Sequence, residues 1–266
     1  MTEAVNMNIL DKIVLRKRQE VQAAMEKVSL AELEQYPLFS RNCYNLRESV
    51  LDNNKKGIIA EYKRASPSKG LINGTSSVQE VVKGYQDAGA SAISVLTDAD
   101  FFQGSLQDLT DAREVLQIPL LRKEFIVDKY QIAEAKAYGA DIILLIAACL
   151  STLEIRDFSK YAKSLGLNVL LEVHNEEELN RSIFPSIDAI GVNNRNLKDF
   201  SVSLDHSYGL VNKIPNDYIK VSESGISDPQ TIKELKKAGF HAFLIGENFM
   251  KTENPAQSIK EFVAQI

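Results

Sequence analysis

Ile58-Ile59-Ala60-Glu61-Tyr62-Lys63-Arg64-Ala65-Ser66-Pro67-Ser68-Lys69-Gly70-Leu71-Ile72 reads as a strand that runs into a polar loop. Gly57 to Ala60 is a short apolar run of strand length, and two opposite charges, Glu61 and Lys63, follow at a spacing of two. Side chains alternate across a strand. If Ile59 faces a packed interior, Glu61 and Lys63 face the same way in the next two layers, while Ala60 and Tyr62 face the other side. Charges so placed must pair or meet a ligand, because burying them alone is costly. A structural ion pair closing the strand accounts for Glu61 and Lys63 by themselves. The Ser66-Pro67-Ser68-Lys69-Gly70 turn adds hydroxyls, a cation and a glycine, which suit a loop that approaches an anionic substrate closely.

Downstream of this stretch, strand-length apolar or β-branched runs recur at residues 91–97, 118–125, 140–147, 168–173, 187–193, 218–222 and 241–246. Amphipathic stretches with helix caps lie between them, at 77–88, 106–116, 129–138, 151–165, 176–183, 205–212 and 229–238. Several end in glycine, as in Tyr138-Gly139 and Ala238-Gly239, where a left-handed C-cap is favoured. A final helix is expected over 256–264. Strand and helix alternating eight times with short connections predict a parallel (β/α)8 TIM barrel rather than an open doubly wound sheet. Upstream, Ile9, Ile13, Val21 and Met25 recur at helical spacing over residues 8–25, Ser29 and Glu32 form a capping-box pair, and a third helix is expected over 45–52. Residues 1–266 are thus expected to form one barrel domain, with residues 1–56 as a helical extension capping the barrel mouth and its basic side solvated.

Composition agrees with this architecture. The chain has 266 residues, 44% hydrophobic and 25% charged, within the range of about 250 residues that one such barrel occupies. A formal net charge of -5 and a pI near 5.4 argue against a general nucleic-acid surface, so any phosphate should be held locally. Cys43 and Cys149, and His174, His206 and His241, have neither metal-ligand nor redox spacing, and no metal or cofactor is expected. Neither a signal-peptide core nor a run long enough to span a bilayer is present, and a cytoplasmic protein without membrane attachment is expected.

In a barrel of this kind, polar side chains at the carboxyl ends of the strands form the site above aliphatic layers. By parity with Leu121, Lys123 faces inward with Phe125 above it; by parity with Leu170, so does Glu172. Asn193 and Arg195 aim at the mouth from the sixth strand, and Glu223 from the seventh. Each could be a satisfied structural charge. Glu61, Lys63, Lys123, Glu172, Asn193 and Glu223 converging on one end are harder to explain by packing, because desolvating them together is costly without a ligand. Ser224-Gly225 after the seventh strand and Gly246-Glu247 after the eighth offer backbone N–H groups where such barrels bind phosphate.

These residues resemble the indole-3-glycerol-phosphate synthase family. The resemblance rests on five ordered motifs: Glu61-Tyr62-Lys63-Arg64-Ala65-Ser66-Pro67-Ser68, Leu121-Arg122-Lys123-Glu124-Phe125, Leu171-Glu172-Val173-His174, Gly191-Val192-Asn193-Asn194-Arg195-Asn196-Leu197 and Ser222-Glu223-Ser224-Gly225-Ile226. It covers nearly the whole chain, the extension included. It implies closure of 1-(2-carboxyphenylamino)-1-deoxyribulose 5-phosphate to an indole, with loss of carbon dioxide and water, in tryptophan biosynthesis. It further implies Lys123, Glu172, Lys63, Glu61 and Asn193 as the catalytic set, with Lys123 the acid at ring closure and Glu172 acting in dehydration. Ser66, Arg195, Glu223, Ser224, Gly225, Gly246 and Glu247 would bind the substrate and its phosphate, and Phe102, Phe125, Ile146 and Leu197 would line the aromatic pocket. Glu247 stands where some relatives have serine, so its carboxylate is expected to turn away from the phosphate. The partner expected is a phosphorylated small molecule, with the chain a monomer or associated with other tryptophan-pathway enzymes.

Two other readings share the frame. An aldolase or isomerase of a phosphorylated sugar would use Lys123 as a Schiff-base amine, which requires a lowered pKa that Glu61 and Glu172 oppose. A subunit that only binds phosphate would not need the charges above the core.

Overall fold

The computed structural model describes residues 7–197 and 199–266; the sequence reading of the extreme amino terminus lies outside them. The eight expected strands form a closed parallel barrel: β1 (Ile58–Tyr62), β2 (Ala92–Leu96), β3 (Leu120–Lys123), β4 (Ile142–Ile146), β5 (Asn168–Val173), β6 (Ala189–Asn193), β7 (Ile219–Glu223) and β8 (Ala242–Ile245). Each pairs with its neighbours in sequence, and β8 closes on β1 through Leu244 opposite Ile59. Helices lie between consecutive strands, from Val78–Asp87 after β1 to Pro229–Ala238 after β7, and Pro255–Val263 ends the chain.

Parity works as the alternation of apolar and charged residues implies. Ile59, Leu121, Leu144, Leu170, Val221 and Leu244 pack inside the barrel. Ile58, Ala60, Tyr62, Ile93, Leu120 and Ile143 face the helices. Burial on both faces makes β1 apolar through Ala60, and the first inward residue that is not apolar, Glu61, marks the end of the filled layers.

The extension splits between the two ends of the barrel, which corrects the expectation of a single cap. Helix α1 (Ile9–Lys27) brings Ile9, Leu10 and Ile13 to the mouth, and helix α2 (Leu30–Leu33) follows it with the Ser29–Glu32 capping box formed. Helix α3 (Leu46–Val50) lies at the opposite end, where Leu46 and Val50 join the inside cluster. There the Leu46 N–H donates to Asn168 Oδ1 at 3.2 Å, and Ser49 Oγ donates to the Ser91 carbonyl at 2.6 Å, both beside the amino ends of strands.

The buried stripe of α1 also differs from its reading. Met25 is exposed, whereas Ile13, Lys17 and Val21 are buried. Lys17 Nζ stands 2.7 Å from Asp98, 2.6 Å from Glu20 and 3.1 Å from Glu124, so the cation is paid for by three carboxylates. Asp98 caps the short helix Ala99–Phe102, accepting from the Phe101 N–H at 2.7 Å, and Glu124 accepts from the Phe125 N–H at 2.8 Å. One lysine thus ties α1 to the segments carrying Phe102 and Phe125. Removing one partner of a buried charge cluster leaves the others uncompensated. Lys17→Met is expected to cost about 3–5 kcal/mol in a urea titration; an unchanged midpoint would show that Asp98 and Glu124 are neutral or hydrated.

Candidate active site

A cleft of about 640 Å³ opens at the carboxyl ends of the strands. It is lined by Glu61, Lys63, Ser66, Phe102, Lys123, Phe125, Ile146, Glu172, Asn193, Arg195, Leu197, Ser224, Gly225, Gly246 and Glu247, which were selected from the sequence. Glu223, also selected, is not on the lining but beneath it, only 1% exposed.

Glu61 is the hub of the cationic side. Its Oε2 lies 3.4 Å from Lys123 Nζ and accepts from Ser94 Oγ at 3.2 Å, while its Oε1 lies 3.2 Å from Lys63 Nζ. Burial pushes the Glu61 carboxyl up, but Lys123 and Lys63 outweigh it and leave the pKa below the ordinary carboxylate value. Burial lowers Lys123 in the same way, yet Glu61, Glu223 and Glu172 raise it above an ordinary lysine. Lys123 is therefore a charged ammonium, which suits a proton donor or electrostatic anchor and disfavours a Schiff-base nucleophile.

Glu172 holds the other side, at the end of β5. Asn193 Nδ2 donates to Glu172 Oε1 at 3.0 Å, and Asn193 Oδ1 accepts from the Arg195 N–H at 2.9 Å, so one amide orients the carboxylate and the loop carrying Arg195 together. Glu223 Oε2 is 3.8 Å from Lys123 Nζ, and neither of its oxygens has a hydrogen bond among the described residues. Burial and the neighbouring Glu172 raise its carboxyl against the pull of Lys123. Room for it comes from Gly191 in β6, where a Cβ would stand 2.0 Å from Glu223 Oε1.

The remaining walls divide by polarity. Phe102 and Phe125 have ring centroids 6.0 Å apart and, with Ile146, Leu197 and the α1 residues Ile9, Leu10 and Ile13, give one side an apolar surface. At the other, Ser224 and Gly225 are both in the left-handed region, φ 69° and 77°, at the turn after β7. Glu247, whose carboxylate the sequence reading expects to turn away from the phosphate, is held at the cleft edge by ion pairs. Its Oε1 is 3.5 Å from Lys69 Nζ and its Oε2 3.8 Å from Arg195 Nη2, so it occupies two cations at the cleft edge. Gly246 also has a second reason to be glycine: a Cβ there would stand 2.8 Å from Glu61 Oε1. Gly246→Val is thus expected to lower kcat through Glu61 as well as to raise KM; a rise in KM alone would confine Gly246 to substrate binding.

Sequence reasoning missed the Lys17 cluster and His174, whose ring lies beside Glu172. Lys17 falls in an otherwise apolar helical stripe, a pattern that could have flagged it.

The family model described as indole-3-glycerol phosphate synthase matches residues 10–262. A protein named indole-3-glycerol phosphate synthase from Bacteroides thetaiotaomicron is 44% identical over 259 residues, covering 97% of this chain and 99% of that one. One of the same name from Polaromonas sp. is 42% identical over 257 residues, covering 96% and 97%. Among solved structures, 3-hexulose-6-phosphate synthase from Salmonella typhimurium superposes with a TM-score of 0.61 at 14% identity, covering 79% of this chain and 99% of that one. Thiamine phosphate pyrophosphorylase from Pyrococcus furiosus gives 0.58 at 17% identity, covering 83% and 97%. At such identities these structures share the fold alone.

Proposed function

The chain belongs to the indole-3-glycerol phosphate synthase family, and on that premise we propose how the groups at its barrel mouth divide the ring closure among them. The protein is a carboxy-lyase of tryptophan biosynthesis acting on a phosphorylated small molecule. In the reaction, the aryl carbon bearing the carboxylate bonds to the ketone carbon of 1-(2-carboxyphenylamino)-1-deoxyribulose 5-phosphate. Carbon dioxide then leaves, and loss of the new hydroxyl as water together with a ring proton gives the indole.

Lys123 donates the proton that the ketone oxygen takes up as the new bond forms. Glu61 keeps Lys123 and Lys63 charged from below, and Lys63 anchors developing negative charge. Glu172, oriented by Asn193, removes a proton during dehydration. The single observation that carries this reading is the opposition of the two sides: two lysines on Glu61 facing one carboxylate held by an amide. Phe102, Phe125, Ile146 and Leu197 take the aromatic ring. Ser66, Arg195, Ser224, Gly225, Gly246 and Glu247 bind toward the phosphate, and Glu223 supports Lys123 and Glu172 from beneath. Adding the open-chain substrate should produce indole fluorescence with release of carbon dioxide; trapping of substrate on Lys123 by borohydride without indole would replace this reading by Schiff-base chemistry.

The whole chain is proposed as one barrel unit, monomeric and cytoplasmic; among the described residues no helix is long and apolar enough to cross a membrane. Its helix α1 is proposed to cover the mouth, and α3 to plug the far end. A chain starting at Asn45 keeps α3 and opens Asp98 and Glu124 to water, so it is expected to fold but show a raised KM. Starting beyond α3 should cost the fold itself, as read by circular dichroism. Equal behaviour of both truncations would contradict this division.

A further inference from the structure

His174 follows β5 directly and is largely buried, and both its ring nitrogens face carboxylates. Its Nδ1 lies 3.2 Å from Glu178 Oε2, and its Nε2 stands 3.4 Å from Glu172 Oε1 without making a hydrogen bond. Glu178 is itself fixed. It accepts from the His174 backbone N–H at 2.8 Å, and its own N–H donates to Asn175 Oδ1, also at 2.8 Å, at the start of helix Glu176–Ser182. The ring therefore has little freedom. Ionised carboxylates only accept hydrogen bonds, so an imidazole can serve both only as the doubly protonated cation.

We propose that His174, clamped by Glu178, is a positioning residue that holds the Glu172 carboxylate aimed into the cleft for the dehydration stage. This rests on the reading of Glu172 as the base of that stage. Packing by itself explains His174 poorly, since an apolar side chain would fill the space without leaving Nε2 buried and directed at a carboxylate. The groups facing this pair come from several elements: Glu178 and Arg181 from the helix, Glu223 from β7, Lys123 from β3 and Cys149 from the turn after β4. Burial lowers the His174 pKa, but the hydrogen bond to Glu178 and the charges of Glu172, Glu178 and Glu223 raise it above an ordinary histidine.

The signs follow. With His174 charged, its Nε2 offers Glu172 Oε1 a cationic partner at 3.4 Å, so removing the cation should free the carboxylate to turn and lower kcat. The histidine charge is present below its raised folded pKa and is lost as pH rises through it. Glu178→Gln removes the strongest raising contact, so its loss of rate should appear first on the alkaline side.

The experiment is a kcat and KM profile against pH for His174→Asn, Glu178→Gln and Glu172→Gln, with a thermal midpoint for each. His174→Asn is expected to lower kcat about tenfold, the scale of one lost opposite charge at this range, leave KM within about twofold and flatten the alkaline fall of kcat seen in the parent, with His174→Lys restoring part of the rate. A kcat lowered by the same factor at every pH in both His174→Asn and Glu178→Gln, in step with the midpoint, would overturn the proposal in favour of a packing role. So would an unaffected His174→Asn beside a slow Glu172→Gln. Normal turnover by Glu172→Gln would instead remove the reading of Glu172, and the proposal with it.

Discussion

Lys123→Met is expected to lower kcat by about 10²–10⁴-fold, the range for loss of a positioned general acid, while open-chain substrate still binds. Methionine has nearly the volume of the lysine stem, so the inside layer below, with Leu121 and Leu170, should stay filled. What changes is charge. Glu61 loses its bond to Lys123 Nζ but keeps Lys63 at 3.2 Å, so it remains paired. Glu223 loses its nearest cation, and its carboxyl, already raised to about 8 by burial and by Glu172, should go further up and stay neutral. The variant should therefore fold and bind, and stop before ring closure. Steady-state rates with equilibrium binding of the open-chain substrate check this; a loss of binding equal to the loss of rate would make Lys123 an anchor and not the acid.

Glu172→Gln is expected to lower kcat by a factor in the same range, about 10²–10⁴, for a different reason. Glutamine preserves the shape, and its carbonyl can still accept from Asn193 Nδ2, which now reaches the carboxylate at 3.0 Å. Proton removal is lost. Two further consequences distinguish the position: Glu223 loses the charge that raises its carboxyl, and His174 loses one of the charges that raise its imidazole. Both groups should then titrate lower than in the parent, which carbon-detected NMR of the side chains can read. KM should change little. A variant with the parent kcat would remove Glu172 from the chemistry.

The barrel was legible because strands buried on both faces are short apolar runs, and helices between them carry caps and terminal glycines. For β5 the expected and observed bounds coincide, at residues 168–173. Most other strands are shorter than their apolar runs, as at residues 118–125, where only Leu120–Lys123 pairs and the flanking residues turn into the connections. Inward parity let Glu61, Lys123 and Glu172 be placed from one aliphatic neighbour each. The polar turn at Ser66 to Gly70 proved to be a small antiparallel ribbon, pairing Ala65 with Leu71 and Ser66 with Gly70.

What stayed hidden depends on contacts between distant segments. A helical stripe shows that α1 is half-buried but not that Lys17 meets Asp98 and Glu124, some 80 to 110 positions on. Nor does an apolar face say which end of the barrel it covers, and α3 went to the end opposite α1. Gly191 and Gly246 read as strand and turn glycines; their closeness to Glu223 and Glu61 depends on the barrel's register. Periodicity could not separate Glu223 from the lining residues, because parity fixes direction and not depth.

We assign Lys123 to the steps before carbon dioxide is lost and Glu172 to those after it. A single turnover of Glu172→Gln, with enzyme in excess and carbon dioxide and indole counted in the same quenched samples, tests this division most directly. Carbon dioxide is expected at close to the parent rate while indole fluorescence lags far behind. Carbon dioxide and indole appearing together at one slowed rate would contradict it, because the carboxylate would then be needed at or before ring closure.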